Sequence, residues 1–476
     1  MNAKQEMEQL IENKKQLFTE ASDQIWDANE TRFQTEKSAE SLCRVLEKEG
    51  FSIEKGISHM ESAFIASYGS GKPVIGILAE YDALANLSQV AGLAEKKAWV
   101  EGGNGHGCGH NLLGGGALAG AVGIKDYMEA HKIPGTIQLF GCPAEESGYG
   151  KSFMARDGVF DHLDAALTWH PMDSSGIWSS SSLAVYQVYY NFKGIAAHAA
   201  AAPELGRSAL DAAELMNIGV QFLREHIVET ARIHYAFIDA GGVSANVVQP
   251  SASLYYFIRA KKLEEAKTIF DRVSKIAEGA AMMTETELEI VFDSACANYI
   301  PNRALSCAMN ENLIAHGSLN LTKEETEYEK AYFNTISEAA KQGLYNRARN
   351  LFPDLPEEEI VKLAQSPIFD LPAPLHFSDA TSGSTDVGDV SWVVPTAQVF
   401  LGCEPQGTAP HSWQWVANGK SSVAHKGLLA AGKVLAATAY DLLTDPELLK
   451  KAQEEHKKML NGKAYKSGIP ADVLPR

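Results

Sequence analysis

Four short apolar runs in this chain, residues 74–78, 137–140, 165–169 and 397–401, are continuous rather than alternating. A strand that is apolar at every residue is a strand buried on both faces. Helical stretches, at about 112–131 and 152–156, separate the first three runs. That alternation predicts an α/β fold with a mostly parallel sheet. Upstream, Leu10, Ile11, Leu17, Phe18, Ile25 and Trp26 recur at helical spacing, and a second helix over 38–49 is expected to stop at Gly50.

The middle of the chain follows another pattern. Residues 185–192 alternate as a strand, 208–226 read as a helix, 232–238 and 253–259 as strands around Gly241-Gly242, 263–283 as a helix and 287–292 as a strand. The order β-α-β-β-α-β is the ferredoxin-like unit. The chain is therefore expected to divide into 1–183, an inserted 184–298, and 299–476. After Pro301 a polar helical region carries the run Glu324-Glu325-Thr326-Glu327-Tyr328-Glu329, expected to be a solvated face. Residues 353–374 read as loop with a short helix, 381–385 as a Gly/Ser/Thr stretch, and 422–443 as the closing helix.

Charge and length exclude some partners. Sixty acidic against 42 basic residues give a net charge of −18, which repels phosphate backbones, so no nucleic-acid partner is expected. No apolar run reaches the ~18 residues of a membrane span, and residues 1–15 lack an apolar signal core. A soluble, cytoplasmic protein without a membrane partner is expected. The six cysteines show no paired spacing and make no disulfide framework; each is expected to be a small buried apolar residue, with Cys108 challenged by its neighbours.

Those neighbours form Gly105-His106-Gly107-Cys108-Gly109-His110-Asn111, two imidazoles and a thiol separated only by glycine. Cys and His are ligands for zinc and related ions, and glycine lets the backbone turn so that they converge. Pro143-Ala144-Glu145-Glu146 follows the second apolar run; on an extended segment its adjacent carboxylates point opposite ways. Trp169-His170-Pro171 ends the third run, Asp82 follows the first, and Ala409-Pro410-His411-Ser412 follows the fourth. In parallel α/β sheets the ligand crevice lies beyond the carboxyl ends of the strands. Cys108, His110, Glu146, His170 and His411 can meet there, and five such ligands exceed the needs of one four-coordinate ion. Two ions ~3.5–4 Å apart would use them, with Cys108 bridging and Glu145 as base.

With Lys193-Gly194-Ile195-Ala196-Ala197-His198 in the inserted unit, these segments resemble the di-metal amidohydrolases related to aminoacylases and glutamate carboxypeptidases. The resemblance covers nearly the whole chain and is weakest over 318–374. It implies a metal-dependent amide hydrolase acting on a small N-acyl amino acid. It implies two divalent ions, manganese or zinc, on Cys108, His110, Glu146, His170 and His411. Glu145 becomes the general base and Asp82 a carboxylate that orients a ligand. The inserted unit becomes a dimerisation and lid domain, in which His198 holds the oxyanion and Asn246 and Arg259 bind substrate. A homodimer is implied, and in some relatives a heteromer with a paralogous subunit. A broader N-acyl-amino-acid amidohydrolase or dipeptidase is the alternative. Glu80 stands where many relatives have His or Asp and is not counted as a ligand. Asp386 and Asp389 are expected to be capping or turn residues, His106 a lining residue, and His425 a packing histidine.

Overall fold

The computed structural model describes residues 2–369, 371–378 and 383–476; Thr381 and Ser382 of the expected Gly/Ser/Thr stretch lie outside the described residues. The strands among them are β1 (Ser52–Lys55), β2 (Phe64–Ser70), β3 (Val74–Ala79), β4 (Gly135–Gly141), β5 (Ala165–Met172), β6 (Gly176–Ile177), β7 (Ala184–Lys193), β8 (Arg232–Asp239), β9 (Ser251–Ala260), β10 (Glu287–Cys296) and β11 (Thr396–Gly402).

One sheet runs β1-β2-β4-β3-β5-β11-β6. Its centre, β4-β3-β5-β11, is parallel throughout and is made of the four apolar runs. β3 is buried at every position, as a doubly covered strand must be. The edges β1, β2 and β6, which the apolar pattern does not mark, pair antiparallel. The helix His110–His131 is buried on almost every side, against the sheet and the helix Ser422–Thr444. Glycine allows the close approach: a Cβ on Gly116 would lie 2.6 Å from the Trp169 indole. Two features extend the expected pattern. The N-terminal helical stretch breaks at Lys14 into Ala3–Asn13 and Lys15–Ala28, and Asp445 caps a further helix, Pro446–Leu460.

The second sheet, β10-β7-β9-β8, is antiparallel at every pairing. With the helices Ala209–Leu223 and Leu263–Thr284 it has the β-α-β-β-α-β order. β9 is fully buried at every second residue, the signature of a sheet covered on one face. β8 is an edge whose residues are mostly exposed.

Several expectations need correction. Glu329 ends the acidic run but is fully buried in the helix Lys323–Phe333, because it faces Asn418 rather than water. Cys307 is exposed on the outer side of the helix Arg303–His316. His425 is partly exposed with Nε2 2.9 Å from Asp23 Oδ1, so a polar contact at the surface holds the ring rather than apolar packing alone. Among the described residues, no helix is long and apolar enough to cross a membrane.

Candidate metal centre

The carboxyl ends of β3, β4, β5 and β11 and the N-terminus of the helix His110–His131 open onto one crevice. Gly109 shapes its floor. It has φ +71°, and a Cβ there would lie 2.8 Å from the Pro171 ring, so glycine is required where the loop turns into the helix. The helix starts at His110, two residues earlier than the sequence pattern suggests, and aims that ring into the crevice. The backbone N–H of His411 donates to Gly107 O at 2.9 Å, tying the loop after β11 to the Gly-rich segment.

Two groups of donors share one atom. Cys108, His110 and His170 form the first; Cys108, Glu146 and His411 form the second; in each, the donor atoms lie within 4.8 Å of one another. Cys108 Sγ lies 3.4 Å from His170 Nε2, and His411 Nε2 lies 3.2 Å from Glu146 Oε1. Donors bound at ~2.0–2.3 Å to one tetrahedral ion lie ~3.3–3.6 Å apart. His110 Nε2 and Glu146 Oε1 are buried with no hydrogen-bond partner. A thiol, imidazoles and a carboxylate with orphaned atoms at these separations fit divalent ions of the zinc and manganese kind.

The supporting contacts fix the rings. His110 Nδ1 donates to Asp82 Oδ1 at 3.0 Å, and His170 Nδ1 donates to Pro171 O at 2.7 Å. In both, Nε2 is left facing the cluster. Asp82 Oδ2 also accepts from the Glu146 backbone N–H at 3.0 Å. The Glu145-Glu146 pair is not extended as expected. Ala144 has φ +63° and the segment turns, which still sends the two side chains apart: Glu146 joins Cys108 and His411, and Glu145 joins Glu80 and His110.

Between the protein groups, electrostatics separate the carboxyls. Burial would raise Glu146, but the nearby His411 and His110 rings hold it down to about 2. Burial, reinforced by the charges of Glu80, Glu146 and Asp386, pushes Glu145 well above the usual carboxylate range. Burial raises the Cys108 thiol, and a bound cation would reverse that by favouring the thiolate. His411, with its side chain 53% exposed, marks the solvent side.

The other expected site residues lie in or against the second sheet. His198 is exposed, and its Nδ1 accepts from the N–H groups of Ala200 and Ala201, both at 3.2 Å. That fixes a proton on Nε2 and makes it a donor. His198 bridges to Val247, and Asn246 O accepts from Ala199 N–H at 3.0 Å, so His198 and Asn246 are neighbours; these contacts stay within their own unit. Arg259 is on β9, an interior strand rather than an edge, and donates to Ser384 Oγ at 2.7 Å.

Residues absent from the expected set also meet here. Fully buried Lys151 lies 2.8 Å from Glu80 Oε1 and 2.6 Å from Asp386 Oδ1. Asp389 accepts from Ser152 Oγ, Ala297 N–H and Tyr465 O–H. Asp386 holds the N-cap position of the helix Val387–Val393, in keeping with a capping residue, but its buried side chain accepts from the Lys151 backbone N–H; Asp389 lies inside that helix and is a buried acceptor rather than a capping or turn residue. His106 is buried, with Nε2 on Ile25 O, and burial pushes it down to about 3. The Gly150–Arg156 helix, GKSFMAR, carries charge at both Lys151 and Arg156, so no local signal singled out Lys151.

A parallel α/β core whose strand ends gather Cys, His and Glu donors beside a free carboxyl is that of a metal-dependent amide hydrolase. Residues 76–466 match the model of peptidase family M20/M25/M40, and the chain belongs to that family. It is 47% identical over 466 residues to a p-aminobenzoyl-glutamate hydrolase subunit of Escherichia coli (strain K12), covering 98% of this chain and 97% of that one. The resemblance read from 105–111, 143–146 and 169–171 extends to that hydrolase in particular. The Xaa-Arg dipeptidase of Mus musculus is 27% identical over 448 residues, covering 91% and 87%. A crystal structure of an aminobenzoyl-glutamate utilization protein from Klebsiella pneumoniae shares the fold, with TM-score 0.59, 17% identity and coverage of 93% and 99%.

Proposed function

We propose that the chain hydrolyses p-aminobenzoyl-glutamate to p-aminobenzoate and glutamate, with two divalent ions, Mn2+ or Zn2+, held by Cys108, His110, Glu146, His170 and His411. The carrying observation is that Cys108 belongs to both donor groups while Glu145 faces the same crevice from the next residue to Glu146. The 47% identical hydrolase supports the substrate. When bound, the ions supply Lewis-acid polarisation and acidify water.

The protein groups divide the remaining work. Asp82 holds the His110 ring in its tautomer. Glu145 takes a proton from the attacking water as its oxygen adds to the amide carbon. His198 Nε2–H donates to the developing oxyanion. As the C–N bond breaks, Glu145 returns the proton to the leaving glutamate nitrogen. Arg259 and Asn246 hold the substrate, Arg259 by its carboxylate. In this reading residues 184–298 are a dimerisation and lid domain inserted between 1–183 and 299–476. The chain works as a homodimer, or in a heteromer with a paralogous subunit, as the word subunit in its relative's name suggests. A cytoplasmic setting agrees with six unpaired cysteines.

A broader N-acyl-amino-acid amidohydrolase or dipeptidase is the second reading, favoured by the dipeptidase relative. Turnover of aminobenzoyl-glutamate, acetyl amino acids and Xaa-Arg dipeptides by the purified chain separates the two. A higher kcat/KM for aminobenzoyl-glutamate supports the first reading; a higher one for the others overturns it.

A further inference from the structure

We propose that Arg347 is a positioning residue for the metal ligand His411, acting through Asp173, so that a helix outside the core sheet sets how well the ion on Cys108, Glu146 and His411 is held. The inference rests on the two-ion reading above and deepens it.

Regular structure supports His411 less than the other ligands. His110 opens a helix, His170 lies within β5, and Glu146 is held through its backbone N–H by Asp82. His411 lies well past the end of β11 at Gly402, with only turns between. Its φ is +59°. A non-glycine residue keeps such a φ only where its surroundings over-determine it. One tie is the bond from the His411 N–H to Gly107 O. The others come from outside the core.

Asp173, 8% exposed, lies just past β5. Its Oδ2 accepts from the Gly407 N–H at 2.8 Å, which joins the loop after β5 to the loop that carries His411. Arg347 grips the same carboxylate with both arms. Nη1 donates to Oδ2 at 2.5 Å and Nη2 to Oδ1 at 2.9 Å, and Nη2 also reaches Ser174 Oγ at 2.5 Å. A two-armed Arg–carboxylate contact fixes orientation as well as distance. Arg347 belongs to the helix Glu338–Leu351, whose Leu344 also closes on Gly407: a Cβ there would lie 3.1 Å from Leu344 Cδ2. Next to it, Gln406 donates from its backbone N–H to Pro367 O at 2.9 Å and from Nε2 to Leu363 O at 2.6 Å. Beyond His411, Gln414 Nε2 donates to Thr335 Oγ1 at 3.2 Å. Residues 335–367 thus hold the loop on both sides of His411, and the Asp173–Arg347 pair supplies the charge-assisted tie. The donors Cys108, His110 and His170 do not hang on this loop, so slack at Gly407 moves His411 and spares the other ion.

The test is metal binding by the full chain, read by equilibrium dialysis against Mn2+ or Zn2+ with elemental analysis, beside urea melts that confirm each variant is folded. Wild type is expected to hold two ions. Arg347→Met should hold one as before and bind the other ~10–100-fold more weakly, the loss typical when a partner behind a ligand is removed. Arg347→Lys keeps the charge without the fork; it should weaken the same ion and serves if the Met variant does not fold. His411→Ala identifies that ion. Added to His411→Ala, the Arg347 substitution should cost no further affinity, because two changes that act through one contact do not add. Two ions at wild-type affinity in the variant used, both ions weakened alike, or a full further loss in the His411→Ala background would each overturn the role of Arg347 and leave the two-ion reading intact. Wild-type protein that binds fewer than two ions overturns both.

Discussion

Asp82 accepts from His110 Nδ1 at 3.0 Å, and this contact turns the Nε2 of a fully buried ring toward Cys108 and Glu80. The other Asp82 oxygen takes the Glu146 backbone N–H. One carboxylate at the end of β3 thus sets a donor in each half of the cluster.

Glu145→Gln is expected to keep both ions and lose ~10²–10⁴ in kcat, the usual contribution of general acid–base catalysis. Glu145 joins Glu80 and His110, outside the two groups that share Cys108. Elemental analysis beside steady-state kinetics checks this. A variant with near-normal kcat has lost no base.

Cys108→Ala removes the one donor common to both groups. Both ions should bind more weakly. Because a thiolate ligand must be deprotonated against a burial that raises the thiol, wild-type affinity should also fall as pH falls, and fall less steeply in the variant. Competition titrations at several pH values measure it; identical affinities in the two proteins would show a thiol that is only packed.

His198 is exposed and sits in the β7 unit, whose strand β8 leaves an open, largely exposed edge. Pairing that edge with a second copy would cover it and carry His198 toward the neighbouring crevice. His198→Ala and Glu145→Gln proteins, each nearly inactive, should on subunit exchange regain up to about a quarter of full activity, since half the dimers are mixed and each has one intact composite site. Mixed dimers seen by mass spectrometry without returning activity would place His198 in its own chain's site or in none.

The Asn418 amide faces Glu329 Oε1, Glu329 Oε2 and Glu404 Oε2, all at 3.2 Å, and Cys403 O at 3.3 Å, more acceptors than its two protons serve. Burial pushes Glu329 up to about 8. A carboxyl raised on folding stabilises fully below its unfolded value of ~4.3 and loses that contribution as pH climbs toward about 8, at ~1.4 kcal/mol per unit. Glu329→Gln should therefore be more stable than wild type at pH 8.5 by up to several kcal/mol and gain little at pH 4. Urea melts at the two pH values decide; parallel pH dependences would mean that Glu329 is not titrating in this window.

Much of the fold is legible in the residues. β3, β4, β5 and β11 are continuous apolar runs because they are covered on both faces, and β9 alternates because it is covered on one. The Gly-rich segment announces ligands because it sets a thiol and an imidazole, Cys108 and His110, on either side of a single glycine, while its first histidine, His106, is held on Ile25 O instead. Glu329 misleads for the opposite reason: its neighbours are charged, and only a partner 89 residues away makes it a buried residue.

Sequence alone set the donor types, the strand ends that carry them, and the interruption of one sheet by a second unit, since each is written in local pattern. Tertiary structure decided which donors meet. Lys151, Glu80 and Asp386 are far apart in the chain, and no periodicity records that they share one buried contact. A charge in low dielectric must find a partner, but the fold chooses that partner by bringing strand ends and helix ends to one point. The same choice set where two adjacent glutamates go, although an extended segment would also have split them: a single left-handed residue, Ala144, turned the segment where a strand would have continued.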